Sequence, residues 1–136
     1  MTSRAAAATY VPLYADAETP EEKLPELAAN LAPELPISVM LLGMGADMHT
    51  ASVFPGADQL DHALNGDDYL VAMRAPGAPE PRITLSASVL KSAMSRHLVI
   101  IGGEKRAALE RARHLPPEDA PVAAILNGTT VHWAER

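Results

Sequence analysis

Cysteine is absent from this chain, which excludes disulfides, thiolate nucleophiles and thiolate-held metals, and makes a reducing cytoplasm the expected location. Aromatic residues are almost as scarce: one Trp, one Phe and three Tyr make up 4% of the sequence, so any core has to be assembled from Ala, Leu, Val, Ile and Met. No apolar run is long enough to cross a bilayer, and the N-terminal Arg4 and short Ala run do not build the apolar segment of a signal peptide. Basic residues are in the minority, 11 against 17 acidic ones, and the net charge of -6 argues against a nucleic-acid partner or an anionic membrane. A local basic cluster can still receive a small anionic substrate. The sequence also has no internal repeat, no G-x-S-x-G elbow and no histidine pair at metal-ligand spacing, so neither a serine hydrolase nor a metal site is expected.

What remains is an ordinary apolar balance, 48% hydrophobic and 21% charged over 136 residues, enough for a single domain with a real core. Residues 1–18 carry no periodic signal and read as irregular. Thr19-Pro20-Glu21-Glu22 predicts a helix start with Thr as N-cap, extending to Leu31 despite Pro25. The short apolar run Ile37–Leu42, followed by glycine, predicts a buried parallel strand. Residues 57–68 read as loop with a helical turn, Tyr69–Met73 as a strand, and Ala75–Pro81 as too proline-rich for regular structure. Ile83–Leu85 reads as a strand, a helix capped by Ser86 or Ser88 reaches about Ser95, and His97–Ile101 is a second buried strand. Glu104–His114 predicts a helix stopped by Pro116-Pro117, and Val122–Leu126, Asn127-Gly128 and Thr129–Trp133 predict a hairpin. Alternating strands and helices make the class α/β.

The chemistry concentrates in Leu41–Gly56, where the first strand runs into Gly43-Met44-Gly45-Ala46-Asp47-Met48-His49-Thr50-Ala51-Ser52. In an open α/β sheet, ligands bind at the carboxyl ends of strands, and glycine there allows close backbone approach. His49 is the side chain suited to proton transfer near neutrality. Asp47 reads equally as a turn residue and as a group that orients His49. Thr50 and Ser52 read as caps of a short following helix. Lys105 falls in the first turn of the helix after Gly102-Gly103, where the dipole disfavours a cation unless an anion is held there.

The string Leu41–Gly56 resembles the signature of the 6-phosphogluconolactonase family, G-M-G-x-D-G-H-T-A-S-L-F-P-G. Further resemblances are Pro81-Arg82-Ile83-Thr84-Leu85 to P-x-R-[IV]-T-L, Ile100–Lys105 to an apolar strand followed by G-x-x-K, and the closing Val131-His132-Trp133 to the last strand. The likeness runs from about Tyr10 to the C-terminus. It implies a modified Rossmann-like, mostly parallel sheet with flanking helices, and a single partial domain over residues 1–136 that lacks the family's N-terminal half. Neither that half's S-G-G-x-T-P loop nor its D-E-R segment occurs here. The family's Gly between Asp and His is Met48, which would be strained at positive φ.

The resemblance implies hydrolysis of 6-phospho-D-glucono-1,5-lactone in the oxidative pentose phosphate pathway, with no cofactor and no metal. His49 would be the acid/base and Asp47 its catalytic companion; Arg82 and Lys105 would hold the phosphate, and the backbone from Gly43 to Asp47, Gly43 and Gly45 included, would approach the substrate and stabilise the oxyanion. Two alternatives stay open: a sugar-phosphate isomerase or deaminase on the same fold, or an inactive fragment that only binds sugar phosphate or a partner chain. A sheet lacking its N-terminal strands would expose an apolar edge, so self-association is expected.

Overall fold

In the computed structural model, which describes residues 4–136, the elements in order are α1 (Leu24–Leu31), β1 (Val39–Leu42), α2 (Leu60–Asn65), β2 (Leu70–Ala75), β3 (Ala78–Leu85), α3 (Ala87–Ser92), β4 (Ser95–Ile101), α4 (Gly103–Ala112) and β5 (Thr129–Ala134). Short 3-10 turns lie at Pro20–Lys23, Ala32–Glu34 and Pro121–Ile125. Strands β1, β4 and β5 form a three-stranded parallel sheet in the order β1-β4-β5, while β2 and β3 form a separate antiparallel hairpin. The class is therefore α/β, with a mostly parallel sheet and flanking helices.

One face of the parallel sheet makes the core. Met40 and Leu42 of β1 and Leu98 and Ile100 of β4 pack against Leu90 of α3, Ala108 and Leu109 of α4, and Val122 and Ile125 of the 3-10 turn. A second cluster, Val53, Ala63, Leu64, Val71, Met73 and Ala87, joins the hairpin to α2 and α3. The opposite face of the parallel sheet is bare. Val39, Leu41, Val99 and Ile101 remain 67%, 72%, 42% and 57% exposed. The strands expected to be buried thus alternate between a covered and an uncovered face, because helices sit on one side only.

Three further expectations are corrected. The helix predicted from Pro20 to Leu31 breaks at Leu24 into a 3-10 turn and α1, which places Pro25 in the first turn of α1, where a missing N–H costs no hydrogen bond. The Ala75–Pro81 segment is regular: it holds the hairpin turn and the first half of β3. Its prolines are tolerated because β3 pairs with β2 alone, and the ladder shifts between Met73 and Ala75. The hairpin predicted around Asn127-Gly128 does not form. Val122 and Ile125, 0% and 1% exposed, are drawn into the core as a 3-10 turn, and β5 instead pairs in parallel with β4. Arg96 holds this arrangement, its guanidinium donating to Thr129 Oγ1 at 3.0 Å, to the Lys91 carbonyl at 2.6 Å and to the Asn127 carbonyl.

Candidate active site

Strand β1 ends at Leu42, and the loop that follows turns back on itself so that Asp47 and His49 meet. The His49 backbone N–H donates to Asp47 Oδ1 at 3.1 Å, and the ring Nδ1 donates to the same oxygen at 2.5 Å. The ring contact makes Nδ1 the donor, which sets the tautomer and leaves Nε2 as the nitrogen that can exchange a proton. Burial pushes the Asp47 carboxyl up; the hydrogen bonds from the His49 ring and amide, with the attraction of the imidazolium, outweigh it and hold the pKa below the ordinary carboxylate value. The pair is only part-shielded, with 29% of the His49 side chain and 43% of the Asp47 side chain exposed.

The loop's other residues make that meeting possible. A Cβ on Gly45 would overlap the His49 imidazole and lie 2.7 Å from Asp47 Oδ1, so only glycine leaves room for the ring. The Gly45 amide donates to the His49 carbonyl at 3.1 Å, which removes it from the expected oxyanion donors. Gly43 borders open space. Met48 takes φ 71°, the left-handed conformation that its place in the motif suggested, and Ala51 takes φ 50°.

Thr50 and Ser52 cap no helix, contrary to expectation. The buried Thr50 hydroxyl donates to the Gly43 carbonyl at 2.8 Å, and Thr50 bridges to Val53. The Ser52 amide donates to Thr84 Oγ1 at 3.0 Å, tying the loop to β3. The Thr of the R-I-T-L segment is thus a loop anchor, 2% exposed, and the Thr of the loop signature pins the loop to the end of β1.

A cavity of about 460 Å³ opens at the carboxyl end of β1, lined by His49, Lys105, Gly43, Gly45 and neighbouring loop and strand atoms. Lys105, in the first turn of α4, lines the same cavity as His49. Arg82 is not in this cavity. It lines a larger cleft of about 1130 Å³ with Ser52, Glu80 and the Tyr10–Tyr14 segment. Phe54 touches a residue of each space: its ring stacks on His49 with centroids 4.1 Å apart at 21°, and the Arg82 Cζ lies 5.5 Å from the same ring. Phe54 was not among the expected site residues; its place five positions after His49 was the available signal.

The other histidines stand apart from this site. His62 pairs with Asp68 at 2.8 Å, and His97 lies 3.0 Å from His132 on the bare sheet face. Among the described residues, no group of three or more His, Cys, Asp or Glu side chains gathers as metal ligands would. No helix among them is long and apolar enough to cross a membrane.

Residues 1–133 match the family described as glucosamine-6-phosphate isomerases/6-phosphogluconolactonase. The 6-phosphogluconolactonase of Pseudomonas aeruginosa is 40% identical over 139 residues, covering 98% of this chain and 58% of its own length. That of Rhizobium meliloti is 38% identical, covering 96% and 60% respectively. A crystal structure of a 6-phosphogluconolactonase from Shewanella baltica superposes with a TM-score of 0.91 at 30% identity, over 97% of this chain and 59% of that one. The chain spans about three fifths of the length of these relatives.

Proposed function

Since this chain belongs to the glucosamine-6-phosphate isomerase and 6-phosphogluconolactonase family, we propose that it carries the proton-transfer site of a 6-phosphogluconolactonase, acting on 6-phospho-D-glucono-1,5-lactone in the cytoplasmic oxidative pentose phosphate pathway. The observation that carries this reading is the 2.5 Å Asp47–His49 hydrogen bond beside a cavity that also receives Lys105. Its support in kind is that the relatives with 38–40% identity are lactonases.

In this reading, His49 Nε2 takes a proton from water as the water oxygen attacks the lactone carbonyl carbon. The resulting tetrahedral oxyanion collapses, the bond from that carbon to the ring oxygen breaks, and the imidazolium returns the proton to the departing oxygen. Asp47 keeps the ring in the productive tautomer and stabilises the imidazolium between the two transfers. Lys105 and the α4 N-terminus hold the phosphate. Arg82, which lines the other cleft, engages the substrate from the far side of Phe54; its guanidinium fork suits an oxyanion.

The test is a lactonase assay with freshly generated lactone at mildly acidic pH, which slows the uncatalysed reaction, beside His49→Ala and Lys105→Ala. Expected are turnover by the chain, its loss in His49→Ala, and a raised KM with little change in kcat for Lys105→Ala. Turnover unaffected by His49→Ala refutes the assignment. A folded chain without turnover shows that the relatives' further two fifths are needed for activity. Conversion of glucosamine 6-phosphate instead would favour the isomerase reading.

A further inference from the structure

One hydrogen bond to Asp47 leaves the His49 ring free to swing about the Nδ1···Oδ1 axis, and His49 sits on a loop. The ring plane is held by something else. Phe54, 4% exposed, lies flat against it, with centroids 4.1 Å apart and planes at 21°. Phe54 is in turn braced by the exposed tip of the β2–β3 hairpin: a Cβ placed on Gly77 would be 3.5 Å from the Phe54 ring edge and 3.3 Å from Asp47 Oδ2. The same tip meets the end of the signature loop, where a Cβ on Gly56 would be 3.8 Å from the Pro76 ring. The hairpin therefore rests on both members of the proton-transfer pair through one aromatic ring and one glycine, and the third group at that ring is the Arg82 guanidinium, 5.5 Å from its centroid.

We propose that Phe54, seated by Gly77 at the hairpin tip, is the positioning residue that sets the His49 ring plane and shields the Asp47–His49 hydrogen bond from water. This deepens the lactonase reading of the same site and rests on it for its kinetic consequence, though not for its structural one. An imidazole able to rotate spends less time aligned with water and carbonyl, and misplacement of that kind lowers kcat without weakening substrate binding.

The test compares the wild type with Phe54→Leu, Phe54→Tyr and Gly77→Ala. The first readout is the exchange with water of the far-downfield Nδ1–H proton in NMR spectra, assigned by its absence in His49→Ala. Exchange at least about tenfold faster in Phe54→Leu, with Phe54→Tyr matching the wild type, is expected. Gly77→Ala, a change at an exposed turn, puts a methyl 3.3 Å from Asp47 Oδ2, close enough to shift the carboxylate, and should also speed exchange; it carries the test if Phe54→Leu does not fold. The second readout is kinetic: kcat lowered about 10- to 100-fold in Phe54→Leu with KM within about twofold, and restored in Phe54→Tyr. Unchanged exchange in both Phe54→Leu and Gly77→Ala overturns the proposal whatever the kinetics. A wild-type chain without lactonase turnover refutes only the activity of this chain, because the exchange rate still decides the role of Phe54.

Discussion

Met48 is where the loop signature departs from glycine, and the structure puts two opposing energies on that one position. Its φ of 71° is the left-handed conformation, which costs an L-residue about 1–2 kcal/mol. Glycine would remove that strain but bring its own entropy cost of about 0.5–1 kcal/mol, so the net relief is at most about 1.5 kcal/mol. Against it stands the side chain. Met48 is 9% exposed and belongs to the main core cluster with Met40, Met44 and Leu98. Truncating such a methionine costs about 2–5 kcal/mol. Packing therefore wins, and Met48→Gly should destabilise the chain by about 0.5–5 kcal/mol. Met48→Ala keeps the strain and loses the packing, so it should cost about 2–5 kcal/mol and be the least stable of the three. Urea unfolding followed by circular dichroism gives the order directly, and the melting temperature should fall by roughly 3–6 °C per kcal/mol for a chain of this size. A Met48→Gly variant as stable as the wild type would refute the reasoning, because it would mean that strain outweighs burial here.

Two other perturbations follow from the site and the sheet. The folded Asp47 carboxyl titrates below its ordinary value of 3.8, so its contribution to stability is present above that pH and lost as pH falls through the lower folded value. Asp47→Asn should flatten this part of the acid limb in unfolding midpoints measured between pH 5 and pH 3, leaving the part due to Glu21, which Arg74 holds at about 2; an unchanged limb would show that the Asp47–His49 bond contributes nothing. The bare sheet face should drive self-association, since Val39 and Val99 are 67% and 42% exposed on adjacent strands. Light scattering after size exclusion should show oligomers that Val39→Lys combined with Val99→Lys turns into monomer, and a wild-type monomer would count against it.

Local signals carried further in this chain than long-range ones. Strand β4 and helix α4 lie within two residues of their expected bounds, because an apolar run, a glycine pair and a basic last turn all act over a few residues. The Asn-Gly turn is present too, with Gly128 at φ 78° and the Thr129 amide donating to the Leu126 carbonyl at 3.1 Å. What that dipeptide could not reveal is the partner of the strand behind it. Val122 and Ile125 are worth more inside the core, about 1.5–3 kcal/mol each, than paired at a sheet edge, so β5 runs alongside β4 instead. The bare face escaped the reading for a related reason. Apolar residues at every position of Val39–Leu42 signal burial on both sides, and only the position of helices shows that one side is uncovered.

The site divides along the same line. Asp47 and His49 are two residues apart, so their encounter is a property of one loop, and the residue types alone pointed to it. Gly45 was legible as a glycine that backbone chemistry requires, but its physical reason is the His49 ring it makes room for, which no pattern of spacing conveys. Lys105 and Arg82 were expected to hold one phosphate together. They part because α4 delivers Lys105 to the carboxyl end of β1, whereas β3 belongs to a separate hairpin and delivers Arg82 to the other side of Phe54's surroundings. In the proposed reading, Lys105 meets the phosphate at the carboxyl end of β1, and Arg82, beside Phe54, meets the substrate from the other side.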